Sequence, residues 1–292
     1  MTNSAMGKDE KAQDTSAQST ALAAGQSTEG GAKAGSGKRA ESADKMLACR
    51  YELKYHITES KARAVAQFVR QYVPVDRYCK LQRSGDYPIV SLYLDSDDMH
   101  LCKESLDGRQ NRFKLRIRGY TDEPDYPVFF EIKRRINTVI MKSRTRVMHS
   151  DVPRLLSGLS LPPQSYSVDT KALNQFQLYM TSIQAKPKVL IRYMRQAFED
   201  EGESRVRVTF DRQLCYSVTD KPEVRLGGSG WQRSPVTENG GVVLEIKFNG
   251  SYPVWLSRLV EYFDLRARAM SKYATSISDS CLLRFCAPHL AG

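Results

Sequence analysis

In the octapeptide RFKLRIRG, residues 112–119, four cations alternate with apolar side chains: Arg112, Lys114, Arg116 and Arg118 against Phe113, Leu115 and Ile117. Successive side chains of an extended strand point to opposite faces, so the cations share one side and the apolar residues the other. Guanidinium forks grip phosphate oxygens two at a time, and ammonium groups act as point charges. Such a face suits a phosphate-bearing polyanion. The design recurs along the chain. RYELKYHI (50–57) sets Arg50, Glu52, Lys54 and His56 against Tyr51, Leu53, Tyr55 and Ile57, and VFFEIKRR (128–135) sets Glu131, Lys133 and Arg135 against Phe130 and Ile132. IMKSRTRV (140–147) aligns Lys142, Arg144 and Arg146; RVRVTFD (205–211) aligns Arg205, Arg207, Thr209 and Asp211; VVLEIKF (242–248) aligns Glu245 and Lys247.

One such strand is the ordinary pattern of a half-solvated antiparallel sheet. Repetition changes the reading, because arginine dominates and like charges on neighbouring strands repel, so an anionic occupant is expected. Closing roughly eight such strands into a barrel would gather the charged faces in a lumen and turn the apolar faces outward beneath helices. A cationic tunnel of this kind fits a triphosphate or a longer chain. The carboxylates Glu131 and Glu245, with Asp211 as a further candidate, could hold a divalent metal there.

The elements that must position these groups follow from periodicity. Two more strands are expected at 88–95 (PIVSLYLD) and 186–198 (KPKVLIRYMRQAF), where Arg192 and Arg195 fall on opposite faces unless a bulge intervenes. Helical spacing covers 58–72, with Thr58 as cap, 168–184, and 253–280 in two pieces, with a short helix at 150–157. The stretch 227–241 (GGSGWQRSPVTENGG) reads as a flexible loop. Strands outnumber helices, so the class is α+β.

Composition bounds the rest. The 292 residues are 41% hydrophobic and carry a formal charge of +11, enough for a large core. The first 45 residues are rich in Ala, Gly, Ser, Thr and Gln, and their six basic and six acidic residues cancel. That segment reads as a disordered tail, and the whole charge excess falls on the remainder. Within the tail, GGAKAGSGKR imitates a phosphate-binding loop, but Arg39 stands where a Ser or Thr is needed and no strand precedes it. The six cysteines form no C-x-x-C pair, and neither they nor the four unclustered histidines suggest a zinc site. No apolar run is long enough to span a bilayer and no signal peptide is recognisable, so a cytoplasmic protein with reduced thiols is expected.

The run RYELKY, SLYLDS, FKLRIRGY, FFEIKRR, KSR, RVTFD, LEIKF and SKY (271–273) resembles the VTC domain, the polyphosphate polymerase branch of the triphosphate tunnel metalloenzymes with their CYTH-like fold. The motifs occur in the family's order over about residues 49–280. The resemblance implies an eight-stranded antiparallel β-barrel, the triphosphate tunnel, flanked by helices. Its domain would span 47–287, between a tail at 1–46 and a short C-terminal tail at 288–292. It also implies a metal-assisted enzyme that adds the terminal phosphate of ATP to a growing polyphosphate chain, with Mn2+ or Mg2+ as cofactor. The matching positions are Lys54, Arg116, Arg118, Lys133 and Lys272 as catalytic groups, with Lys54 nearest the transferred phosphoryl group. Lys142, Arg144, Arg195 and Arg207 match phosphate contacts, and Glu245 matches the metal ligand. Strand parity adds Lys247 and Arg50 to the phosphate-binding set and Glu131 to the metal site.

Two departures qualify this. The hydrolytic members carry E-x-E-x-K in the first strand, and here Arg50 takes the first glutamate's place. The eukaryotic polymerase subunits carry an inositol-phosphate-sensing domain and membrane helices, and neither is expected here. Three rivals stand beside the polymerase: an inorganic or nucleoside triphosphatase, a non-catalytic polyphosphate-binding module, and a nucleic-acid binder. The binder gains nothing from inward carboxylates. Nucleic-acid binding would interleave aromatics on the cationic faces, whereas in these strands the aromatics mostly lie opposite.

Overall fold

The computed structural model describes residues 50–137, 139–162, 167–200 and 205–282. The expected N-terminal and C-terminal tails, with Cys49, Cys286 and His289, lie outside the described residues. The strands are β1 (Arg50–Thr58), β2 (Tyr87–Asp95), β3 (Arg112–Gly119), β4 (Pro127–Ile136), β5 (Val139–Met148), β6 (Lys186–Glu199), β7 (Arg207–Val218), β8 (Gln232–Arg233) and β9 (Gly241–Asn249). All pair antiparallel in one sheet of order β1-β9-β7-β6-β2-β3-β4-β5, with β8 beside β7.

The backbone ladder does not close, which corrects the expected barrel. Among the described residues, β1 and β5 are free edges of the sheet. The edge of β1 meets the chain leading into the last helix instead: Arg268 N–H donates to the Lys54 carbonyl at 2.9 Å. The sheet nevertheless curls strongly. Lys133 on β4 reaches Glu52 on β1 at 2.9 Å, although six strand steps separate them in the sheet order, roughly 29 Å across a flat sheet.

The helices are α1 (Glu59–Val69), α2 (Arg77–Lys80), α3 (His100–Leu106), α4 (Val152–Leu156), α5 (Thr170–Ser182), α6 (Val254–Tyr262) and α7 (Lys272–Asp279). Thr58 caps α1 as expected, its Oγ1 accepting from Lys61 N–H at 3.4 Å, and Asp169 caps α5. Sequence reading missed α3 because its cap is not local: Met99 precedes it in the left-handed region, and Asp95, at the end of β2, accepts from the Leu101 and Cys102 amides at 2.9 Å each.

Two cores lie on the convex face. Helices α1 and α6 cover Tyr55, Ile57, Val208, Phe210, Leu244 and Ile246. Helices α4 and α5 cover Leu92, Leu115, Ile117, Phe130, Ile132 and Val147. A third core was not expected. On the concave face, Tyr87, Ile89 and Tyr93 of β2, with Val189, Ile191 and Tyr193 of β6, pack against Tyr273, Ala274 and Ile277 of α7. Part of the concave face is therefore apolar and filled by a helix.

A bulge in β7 serves this arrangement. Gln213 and Leu214 together oppose Tyr193, Gln213 has φ 52°, and the ladder slips there. Before it Arg207, Thr209 and Asp211 face inward; after it Leu214 and Tyr216 do so against α7. Strand β6 stays regular against β2 at this level, so Arg195 faces inward while Arg192 lies outside, 4.3 Å from the Trp231 ring. Arg205 precedes β7 with φ 37° and is not part of the strand. The 227–241 loop is built rather than open: it contains β8 and the buried Ser234, whose amide donates to the Leu214 carbonyl. No helix of the described residues is long and apolar enough to cross a membrane.

Asp95 is 0% exposed and ties three elements together, accepting from the α3 amides and from the Tyr273 hydroxyl of α7. Replacing Asp95 by Ala leaves those buried donors unmatched and is expected to remove about 3 kcal/mol of stability, read from urea unfolding.

Candidate functional site

The concave face presents cations in rows. Cross-strand pairing sets Lys114 beside Lys133 and Lys133 beside Lys142; the next row is Arg116, Glu131 and Arg144, and the next Arg118, Phe129 and Arg146. Three adjacent lysines repel one another. The second row anchors them: Glu131, 1% exposed, lies 2.6 Å from Arg116, 2.9 Å from Lys142, 3.5 Å from Arg144 and 3.9 Å from Arg118. Burial alone would raise its carboxyl pKa, but Arg116, Arg118 and Lys142 hold it far below the usual range.

Across the lumen, Glu52 pairs with Lys54 and Lys133 at 2.9 Å each. Burial and the neighbouring Glu245 push its pKa up, but Lys54, Lys133 and Lys247 bring it down to about 2. Glu245 pairs with Lys247. Burial opposes its ionisation as well, and Lys247, Lys54, Lys272 and Arg195 overcome that. Deeper in, the fully buried Asp211 takes Arg195 through Nε and Nη2, both at 2.7 Å, and Lys272 at 2.7 Å. Lys272 also lies 5.0 Å from the centre of the Tyr193 ring.

The last helix delivers this lysine. Ser271 caps α7 by accepting from Ala274 N–H, and its Oγ lies 2.8 Å from the Lys114 ammonium. Lys54 donates to the Met270 carbonyl at 3.1 Å. Arg207 is held by Asp76, at 3.4 Å, and by Glu199, and it donates to the Tyr87 hydroxyl.

Residues 49–280 match the VTC domain family. The chain belongs to it. A curated relative, vacuolar transporter chaperone complex subunit 4 of Schizosaccharomyces pombe, is 22% identical over 64% of this chain, and the match spans only 28% of that protein's length. Among solved structures, a putative adenylate cyclase from Bacillus halodurans shares 14% identity over 76% of this chain and 95% of its own, with a TM-score of 0.42. A putative adenylyl cyclase from Hippeastrum, described as having a dominant triphosphatase activity, shares 10% identity over 78% and 95%, with a TM-score of 0.42. Likeness at that level carries no functional weight.

In this VTC domain the structure brings Lys54, Arg116, Arg118, Lys133, Lys142, Arg144, Arg195, Arg207, Lys247, Glu131, Glu245 and Lys272 onto the concave face or its rim. Arg50 lies in β1 opposite Asn249, and its side chain is outside the described residues. Two placements differ from their expected setting. Glu131 sits among four cations rather than beside another carboxylate, and Asp211 is spent on Arg195 and Lys272.

Sequence reading left Lys114, Glu52 and Tyr93 out of the site. Parity with Arg116 and Lys54 was signal enough for the first two. Tyr93 shares a face with Ser91, and its hydroxyl accepts from Arg116 at 3.4 Å; burial opposes its ionisation, but Arg116 and Arg118 lower its pKa to about 8. Some aromatics do reach the charged face: Phe129 of β4, and Tyr93 and Tyr193 of β2 and β6. Tyr93 and Tyr193 are 7% and 6% exposed, so neither is a platform for stacking bases.

Burial pulls both Lys114 and Lys142 down to about 8, against the opposing influence of Tyr93 and Glu131 respectively. Both are protonated below that pH and lose their charge above it. Tripolyphosphate affinity, measured by calorimetry, should therefore fall as pH rises through 8, and Lys142→Arg should reduce that fall.

Proposed function

We propose that this VTC domain is a polyphosphate polymerase that transfers the terminal phosphoryl group of ATP to a growing polyphosphate chain. The observation that carries the reading is the row Lys114, Lys133 and Lys142, set beside Arg116, Arg118 and Arg144 on one concave face. Its buried carboxylates orient these cations yet are too few to neutralise them. An extended phosphate chain supplies the missing charge, and the curl of the sheet gives it a channel to lie in.

In the reaction an oxygen of the acceptor's terminal phosphate attacks Pγ. The bond from Pγ to the β,γ-bridging oxygen breaks, and ADP leaves with that electron pair. An ionised acceptor has no proton to lose, so the protein's task is alignment and charge neutralisation. Arg116, Arg118 and Lys133 bind the triphosphate, and Lys142, Arg144 and Lys247 extend the grip. Lys54 stands nearest the moving phosphoryl group, and Lys272 closes the inner end. Arg195 and Arg207, already paired with carboxylates, meet phosphate through their remaining donors. Glu131 acts as the anchor that fixes the arginines.

Among the described residues no three His, Cys, Asp or Glu side chains cluster as a metal cage. Glu245 and Glu52, diagonal neighbours across β1 and β9, offer the one or two carboxylates that Mg2+ takes when phosphate oxygens complete its shell, and Mn2+ suits the same oxygen donors. A divalent ion held there would neutralise charge on the non-bridging oxygens.

The test incubates the protein with ATP and Mn2+, with and without a short polyphosphate primer, and follows ADP, free phosphate and polymer together. ADP rising in step with polymer supports the polymerase. Free phosphate without polymer would replace it with a triphosphatase, and tight binding without turnover would leave a binding module. Glu245→Gln should lower metal-dependent turnover by about 100-fold or more while tripolyphosphate affinity changes little; unchanged turnover would remove Glu245 from the metal site.

A further inference from the structure

A second polar cavity lies on the convex side of the sheet, away from the cationic channel. It encloses about 380 Å3 between one face of α1, the turn before β2, and the outward side chains of β6 and β7. Three guanidinium groups and two carboxylates converge on it: Arg63, Arg70 and Arg212 with Glu59 and Asp86, and Gln196 at the floor.

Their pairing is uneven. Arg212 holds Glu59 at 2.8 Å and Gln196 Oε1 at 3.3 Å, and Arg63 reaches the other oxygen of the same Glu59 at 3.6 Å. One carboxylate thus serves two arginines. No carboxylate among the described residues pairs with Arg70, whose guanidinium lies 5.9 Å from the centre of the Phe198 ring. The other wall has the opposite need: Asp86 Oδ1 is buried and has no hydrogen-bond partner. A buried acceptor without a donor is costly, and a water or a ligand hydroxyl or amine would satisfy it.

We propose that this cleft binds a small phosphorylated compound that also carries a hydroxyl or amine donor, its phosphate on Arg63 and Arg70 and its donor on Asp86. The cavity falls at the lower end of the usual range for small-molecule sites, which suits a sugar phosphate or a nucleoside monophosphate. The site is separate from the channel, yet Arg212 and Gln196 directly follow Asp211 and Arg195 in the chain. The two sites lie back to back on the same strands.

Calorimetry on the full chain tests this, with ribose 5-phosphate and AMP as probes and orthophosphate as control, in saturating tripolyphosphate to occupy the channel. At least one probe should bind about tenfold or more tightly than orthophosphate. The double variant Arg63→Ala/Arg70→Ala, both positions exposed, on α1 and at its C-terminal cap, should weaken it about tenfold or more, as should Asp86→Ala. Lys272→Ala, inside the channel, should leave it unchanged. No binding of either probe at about 10 mM, binding abolished by tripolyphosphate or by Lys272→Ala, affinity equal to that of orthophosphate, or indifference to the α1 double variant would each overturn the proposal. Because the readout is binding, the outcome is independent of whether the channel polymerises phosphate.

Discussion

Crowding like charges onto one concave face is the constraint the rest of the structure answers to. Most cations fixed there are fixed by a carboxylate they share: Glu131 for Arg116, Lys142 and Arg144, Asp211 for Arg195 and Lys272, Glu52 for Lys54 and Lys133. Sharing has a double effect. It orders long flexible side chains without cancelling their charge, so the face stays both rigid and hungry for anions. The carboxylates can be buried only because several cations surround each one; a lone acid at 1% exposure would take up a proton instead.

The second answer is to make the face only partly polar. Helix α7 seals one region with Tyr273, Ala274 and Ile277 against β2 and β6, and in doing so carries Lys272 to Asp211 and Ser271 to Lys114. The apolar seat and the polar tip are consecutive residues. Packing on one side of Lys272 therefore sets where its charge lies on the other, and Asp95, through the Tyr273 hydroxyl, joins that seat to α3.

Strand parity made much of this legible in advance. Alternation alone placed Lys54, Arg116, Lys133 and Glu245 on a common face, because a period of two is a property of the extended backbone and survives any sheet curvature. The helix at Thr58 was legible because its cap is local, and the one that begins after Asp169 through its helical spacing. What stayed hidden was whatever depends on distant partners. Helix α3 takes its cap from a strand end, the apolar seat of α7 is visible only once β2 and β6 are neighbours, and the edge of β1 is met by the amide of Arg268, far away in the chain. The four cations gathered round Glu131 were equally unreadable, since parity names the face but not the neighbours of each oxygen.

The bulge at Gln213 makes β7 a strand with two phases. Upstream of it odd-numbered residues look into the channel, and downstream even-numbered ones look the same way. A single deletion at Gln213 would therefore be silent to both faces: it would close the bulge into an unbroken ladder, Arg212 opposite Met194 and Leu214 opposite Tyr193, and Leu214 and Tyr216 would still meet α7. What the extra residue adds is a local kink and a stronger twist, a bend in the strand obtained without turning either of its faces over.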